Sequence, residues 1–437
     1  MDIGRKGSLL ILTIVFAAML AVFNLATARM VASGKADRLI HRDTIVHGDG
    51  ARLYAYLRSA WFDGDVDTAN ELDYYFNYPG SREPDDNVAT STGYAWNHTP
   101  VGCAILWSPF FLMGHMTAVQ MRHAAIAIGT HVYCFLGALI LFLICSRYYS
   151  IPASLLAAIT VWLASFLPAY LFLYPSMSHA QSFFSVSLFI WLWLEAQERW
   201  GPALWCLLGI AGGVAALVRT QNVIFLCIPV LWTLGAKQPI PIGHRLRNTA
   251  IMAAFALAAF SPQMYVWKLT YGSFLTIPQG GGFLHWTRPA AWEVLFSSRH
   301  GLLTWSPALI LGCMGLPAFV KRERLLGLSL LLVFLFQLYL NSIVDDWWAG
   351  TGFGARRFDN CLPIFALGIA AVYEWMRLKR IGWLAVIITA GAIVWNGLFL
   401  CQYALNWVSH MNAIDMGKMA RDQERMFLYI ISRIRSI

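Results

Sequence analysis

Apolar runs of about twenty residues recur from end to end of this chain, each long enough to span a hydrocarbon core as a helix. They fall at 8–28, 123–146, 151–174, 178–198, 203–219, 222–236, 249–271, 301–320, 325–344, 361–376 and 381–401. The pattern predicts an all-α integral membrane protein with about eleven transmembrane helices. One more apolar stretch, 101–119, has Pro100 ahead of it and Gly102, Pro109 and Gly114 within it. Those residues fit a broken or re-entrant helix better than a crossing one. No soluble domain stands out, so 1–437 reads as a single polytopic membrane domain with loops.

Two less apolar regions carry a helical period of their own. Leu53, Tyr56, Leu57, Ala60 and Trp61 follow i, i+3, i+4, i+7, i+8 spacing, with Arg52 and Arg58 off the stripe. This predicts a short amphipathic helix at the membrane surface, within a loop spanning 29–122. Met416, Met419, Ala420, Phe427, Ile430, Ile431 and Ile434 form a similar stripe, which makes 402–437 an interfacial tail.

Composition supports the membrane reading. Of 437 residues, 58% are hydrophobic and 13% charged, about half the charged fraction of an ordinary soluble domain. The net charge of +9 does not point to nucleic acid. Its basic residues sit in short clusters between apolar runs: Arg5-Lys6, Arg147, Arg199, Lys237 with Arg245 and Arg247, Lys321-Arg322-Arg324, and Arg377-Lys379-Arg380. That is the pattern of cytoplasmic loops. All of them fall on the inner side if 101–119 does not cross, which places the amino terminus inside. The first apolar run follows Arg5-Lys6 and ends near Ala26-Thr27-Ala28, as a secretory signal would, but its length favours a retained anchor. The eight cysteines lie in or beside apolar runs without CxxC pairs, so neither a disulfide framework nor a zinc site is expected.

The outer side then collects 29–122, the turn at 174–180, the turn after Arg219, the loop 272–300 and the loop 345–360. Four segments there carry the unusual chemistry: HGDGARLYAYLRSAWFDGDVDTANEL (47–72), NHTPVGCAILWSPFFLMGH (97–115), FSSRHGLLTWSP (296–307) and WWAGTGFGARRFDN (347–360). Asp49 reads as a catalytic base ahead of a cap of the helix that follows it, and the two roles are compatible. Asp63, Asp65 and Asp67 resemble part of a calcium loop but lack its later Gly and Glu, so solvated turn acids are the better reading. Arg356 and Arg357 run against the positive-inside bias, which favours phosphate binding over plain surface charge. Arg299 with His300 admits the same two readings. Arg219 either pairs with a buried carboxylate or lines a site. His98 and Tyr54 join the substrate-binding candidates, although a lone histidine such as His98 or His179 is more often structural.

An acid in the first outer loop, a surface helix, a Pro-Gly apolar segment, and downstream TWSP and GARRF elements together resemble the GT-C glycosyltransferases. The layout is similar to the branch containing the bacterial protein O-mannosyltransferases and the lipid A aminoarabinose transferases, and it covers nearly the whole chain. The resemblance implies a polyprenyl-phosphate sugar donor, an aspartate base in the first outer loop, and usually inversion at the anomeric carbon. Carried onto this chain, that base is Asp49. The chain differs from the aminoarabinose transferases in showing no soluble domain after its last apolar run. It differs from the mannosyltransferases in having Gly50 where an Asp-Glu pair would continue.

Elementary chemistry agrees. Attack of an acceptor hydroxyl on an anomeric carbon needs one carboxylate to take the proton and cations to hold the departing phosphate. A phosphate leaving group needs no protonating acid, so one carboxylate serves where a glycosidase uses two. No cofactor or metal is implied. The expected partners are the lipid-phosphate donor, a glycan, lipid or protein acceptor, and membrane lipid, with the site on the periplasmic face of a bacterial inner membrane. The rival from another class is a transporter or flippase of a lipid-linked saccharide, which would favour internal repeats, and none is found. A ligase of whole glycans shares every feature above.

Overall fold

The computed structural model describes residues 4–30, 45–76, 89–117, 121–235 and 240–435. Parts of the expected first outer loop (31–44, 77–88 and 118–120), Lys237 of the expected basic cluster and the tail end 436–437 lie outside the described residues. In chain order the main helices are α1 (Arg5–Met30), α2 (Asp49–Arg58), α3 (Ala69–Phe76), α4 (Gly102–Thr117), α5 (Arg122–Cys145), α6 (Ile151–Leu163), α7 (His179–Arg199) and α8 (Pro202–Val218). They continue with α9 (Cys227–Gly235), α10 (Ile242–Tyr271), α11 (Leu309–Arg322), α12 (Arg324–Ser342), α13 (Leu362–Leu378), α14 (Gly382–Ala404) and α15 (Met416–Arg435). Extended pairing among the described residues is limited to two isolated bridges, Ala89 with Ala95 and Leu284 with Val344.

Among the described residues, six helices are long and apolar enough to cross a membrane: Arg5–Leu25, Arg122–Cys145, Ile242–Tyr271, Arg324–Ser342, Arg356–Leu378 and Gly382–Ala404. This is an all-α, multi-pass membrane protein, as the apolar runs predict. Three expected spans are interrupted. The run 151–174 stops at Leu163, and Asn396 donates to the carbonyls of Leu163 (3.0 Å) and Ser165 (2.8 Å) that the break exposes. The run 222–236 is a 3-10 helix, Thr220–Leu226, followed by α9. The run 301–320 divides at Ser306-Pro307 into Leu302–Trp305 and α11.

The expected break in 101–119 does not occur. Helix α4 runs through Pro109, which removes one backbone donor and frees the carbonyl four residues earlier. That carbonyl, of Ile105, instead accepts from the Ser108 hydroxyl at 2.7 Å. A local side-chain bond makes the proline tolerable.

The chain packs into two compact units where the sequence reads as one domain. One comprises Thr13–Gly137 and Tyr170–Gly282, the other Met1–Leu12, Ala138–Ala169 and Phe283–Ile437. In the first, α8 and α10 approach through Gly209 and Gly213. A Cβ at either glycine would come within 2.4 Å of a carbonyl oxygen, of Met252 or Ala256, so any larger residue would push the helices apart. Helix α2 is central to this unit. Its residues Gly50 through Leu57 are all buried, Arg52 included, and it packs with Tyr75, Trp107 and Phe111. Of the stripe expected to lie on a membrane surface, Leu53, Tyr56 and Leu57 are thus one side of a helix buried on every side, while Ala60 and Trp61, beyond its end, are exposed.

In the second unit α11 and α13 cross at Gly312, Gly315 and Gly368, again with no room for a side chain. The hydroxyls of Thr160, Tyr373 and Thr389 close a three-membered ring at 3.0–3.2 Å, which satisfies all three inside the apolar packing. Helix α15 is capped by Asp415, whose Oδ1 accepts from the Lys418 N–H at 2.9 Å. Met419, Asp422, Gln423 and Met426 are its buried residues, while Phe427 and Leu428 remain exposed. The expected apolar stripe is thus only partly used against the protein.

Candidate active site

The first unit brings Asp49 to the head of α2. The N-cap is Gly48, whose φ of 53° suits glycine, and Asp49 is the first helical residue. Asp49 is accordingly not the cap residue. It sits in the first turn, where the helix dipole favours a carboxylate. Its side chain is 39% exposed, and Oδ1 lies 3.6 Å from Nε2 of His98. The next residue, Gly50, abuts the turn at 174–178: a Cβ there would meet the Ser176 hydroxyl at 2.0 Å. The same turn stacks Tyr174 against His47, ring centroids 5.4 Å apart.

Arg219 is presented to this turn. Helix α8 ends at Val218, Arg219 is extended (φ −149°, ψ 118°), and the Asn222 amide donates to the Ala215 carbonyl at 3.0 Å, capping the break. The Arg219 guanidinium then reaches the Ser178 hydroxyl and the His179 ring, both at 3.2 Å. Asp49, His98, Arg219 and the 174–179 turn form one polar neighbourhood. Ser176 and Ser178 are its unforeseen members; their only sequence signal is their place in an expected outer turn.

Tyr54, expected at the substrate, is core. It is 1% exposed and packs edge-on against Tyr75, Phe111 and His123. Burial pushes its hydroxyl pKa up, so it stays protonated. The acids after α2 are turn formers. Asp65 Oδ1 accepts from Ser59 Oγ (2.7 Å) and the Asp67 N–H (3.0 Å). Asp67 Oδ1 accepts from the Ala69 and Ala95 N–H groups at 3.2 and 3.3 Å. Among the described residues, no three His, Cys, Asp or Glu side chains are grouped to hold a metal.

Close by, Glu71 is fully buried with Arg58 at 3.1 Å. Burial drives its carboxyl up to about 7; Arg58 opposes the shift and Asp63 adds to it. A carboxyl whose folded pKa lies above its ordinary value stabilises the fold at low pH, and that contribution is lost as pH rises through the folded value. The melting temperature of the purified protein should therefore fall between pH 5.5 and 7.5. Glu71→Gln should flatten the dependence, and an equal slope in the variant would refute the assignment.

The second unit holds the other basic candidates. The loop 345–360 carries positive φ at Ala349 (62°), Gly350 (66°) and Gly354 (66°), and this winding turns Arg356 back so that its Nε donates to the Ala349 carbonyl at 3.1 Å. Arg357 behaves differently. It clasps Asp346 with one nitrogen at 2.6 and 2.8 Å and donates to the Asp346 carbonyl at 3.0 Å. The two adjacent arginines are thus not equivalent.

Arg299 stacks its guanidinium 3.6 Å from the centroid of the Trp348 ring and donates to the Met411 carbonyl at 2.6 Å. His300, expected beside it as a phosphate contact, is 2% exposed and bonded through Nδ1 to the Trp348 carbonyl at 2.8 Å. Burial first, then the charges of Arg356 and Arg299, depress its pKa to about 4. At neutral pH it is an uncharged imidazole, so its expected cationic role is not available. It marks instead where two arginines come close.

The described residues form a multi-pass helical membrane fold in which Asp49 opens a buried helix of the first unit. No family model and no curated protein matches the chain. Solved structures do. It is similar to ArnT from Cupriavidus metallidurans bound to undecaprenyl phosphate, at 13% identity and TM-score 0.54, covering 95% of this chain and 75% of that one. It is also similar to the oligosaccharyltransferase AglB from Archaeoglobus fulgidus, in complex with an inhibitory peptide and a dolichol-phosphate. There the identity is 14% and the TM-score 0.51, over 89% of this chain and 56% of that one. The chain spans about half the length of the archaeal enzymes it matches. At these identities the likeness establishes the fold.

Proposed function

We propose that this protein is a membrane glycosyltransferase that moves a sugar from a polyprenyl-phosphate donor to an acceptor hydroxyl at the periplasmic face of a bacterial inner membrane. The observation that carries the reading is Asp49: a part-exposed carboxylate at a helix amino terminus, beside His98, in a fold shared with proteins solved with lipid phosphates. Asp49 takes the acceptor's proton as the acceptor oxygen attacks the anomeric carbon. The bond from that carbon to the phosphate oxygen breaks, its electrons leave with the phosphate, and the sugar inverts. Arg219, in the same unit as Asp49, supplies guanidinium donors suited to phosphate oxygens, and Arg299 and Arg356 of the second unit carry the same chemistry. No metal enters this chemistry. The acceptor is a glycan, a lipid or a protein.

The test separates transfer from transport. Purified protein in vesicles is given a polyprenyl-phosphate sugar labelled in the sugar, together with an acceptor membrane extract. Transfer cleaves the sugar–phosphate bond and leaves unlabelled lipid phosphate. Movement of intact labelled lipid across the bilayer, with no cleavage, would replace the enzyme by a flippase.

A further inference from the structure

A single π-helical turn, Ser59–Asp63, follows α2 and leaves Trp61 and Phe62 exposed. The Gly64 N–H closes it by donating to the Ser59 carbonyl at 3.0 Å. Both exposed rings lie edge-on to Phe111 and His115 of α4, with centroids 5.9–6.3 Å apart. Phe111 and His115 are stacked almost parallel beneath them, 6.1 Å apart. Two guanidinium groups meet on this surface. Arg58 lies 5.4 Å and Arg122 4.7 Å from the centroid of Phe62, and Arg122 is also 5.7 Å from that of Phe111.

The charges on this surface are unevenly matched. Arg122 donates from Nε (2.9 Å) and Nη2 (2.5 Å) to Nδ1 of His115. A ring nitrogen that accepts from a guanidinium carries the lone pair, so the His115 proton is on Nε2. Arg122 is thus held by a neutral imidazole and two aromatic faces, none of them an anion. Arg58 has Glu71 at 3.1 Å, but burial lifts that carboxyl to about 7, so at neutral pH it is uncharged about half the time. Asp63 accepts from the Asn70 amide at 3.0 Å. Two cations gathered on one ring repel each other, and an anion between them would relieve this. Depth says which anion. Arg122 opens a span of 24 residues, about 36 Å long against a hydrocarbon core of about 30 Å, which sets it at headgroup level. Met113, Met116 and Met121, close by in sequence, are exposed apolar side chains.

We infer that Arg58 and Arg122, flanked by Trp61 and Phe62, bind the phosphate headgroup of an anionic phospholipid from the surrounding bilayer. Phosphate oxygens accept charge-assisted bonds from guanidinium groups. A tryptophan beside them suits the boundary between headgroup and acyl chain. The lipid is a bound neighbour that ties the end of α2 to the membrane, and it is neither donor nor acceptor of a sugar. The inference stands apart from sugar transfer and from the role of Asp49.

The experiment places the full chain in phosphatidylcholine vesicles and adds phosphatidylglycerol or phosphatidylcholine brominated high on the acyl chains. Tryptophan fluorescence is read, and subtracting the signal of Trp61→Phe isolates the quenching of Trp61. Brominated phosphatidylglycerol should quench Trp61 at a severalfold lower mole fraction than brominated phosphatidylcholine. Arg58→Gln and Arg122→Gln should each reduce that preference by up to about fivefold, the worth of one basic residue at an anionic surface. The double variant should lose it. Arg122→Lys keeps the charge without the paired bonds to His115, and should keep most of the preference. A preference unchanged in the double variant, equal losses in Arg122→Lys and Arg122→Gln, or no quenching of Trp61 by either lipid would overturn the inference. So would displacement of brominated phosphatidylglycerol by trace undecaprenyl phosphate, which would make the surface a site for the donor lipid instead.

Discussion

Asp49→Asn is expected to slow sugar transfer by about a hundred- to ten-thousand-fold, the usual contribution of a general base, while expression and donor binding stay at parental levels. The reason is chemical. An amide of the same shape cannot accept the acceptor's proton, yet it keeps the side chain's volume and its carbonyl oxygen. Gly48 holds the cap position and Asp49 the first turn, so the structural loss is limited to the charge–dipole attraction, about 0.3–1 kcal/mol. Asp65→Asn and Asp67→Asn are the controls. Both residues accept bonds that shape the turn between α2 and α3, and an asparagine carbonyl oxygen can still accept them. Those variants should lose a little stability and little rate. A near-parental rate for Asp49→Asn with a dead Asp65→Asn or Asp67→Asn would move the base into the DGDVD segment.

The membrane class and the position of Asp49 were legible because each has a one-dimensional signal. An apolar run of spanning length is visible in the sequence, and so is an acid just ahead of a helical period. The breaks were not. The stop at Leu163 depends on Asn396, far away in sequence, and the continuity of α4 through Pro109 depends on where one Ser108 hydroxyl turns. Burial misled in two places. Tyr54 and Arg52 flank an apparent amphipathic stripe, but a helix enclosed on all sides by Tyr75, Trp107 and Phe111 gives its off-stripe residues no water to face. His300 follows Arg299 in the sequence and lies near Arg299 and Arg356 in space, yet burial removes the charge that made it a phosphate candidate. The pairing of His98 with Asp49 joins residues 49 positions apart through a loop, and no periodicity records that.

The arginine doublet should split in the same way. Arg356→Ala is expected to weaken binding of polyprenyl phosphate by about 2–3 kcal/mol, or roughly thirty- to a hundred-and-fifty-fold, the scale of charge-assisted bonds near a low dielectric. Arg357→Ala should cost much less affinity, because its guanidinium is already engaged with the Asp346 carboxylate. Its removal instead releases a part-exposed ion pair, worth about 1 kcal/mol or less of loop stability. His300 adds a condition. Its pKa near 4 keeps the ring neutral through the working range, so titration of His300 should not change affinity between pH 6 and 8. The measurement is binding of undecaprenyl phosphate to the purified single and double variants. A larger loss in Arg357→Ala than in Arg356→Ala would mean that the Asp346 clasp opens to receive the phosphate. Unchanged affinity in the double variant would take both arginines out of the donor site and leave Arg219, in the same unit as Asp49, as the cation to test next.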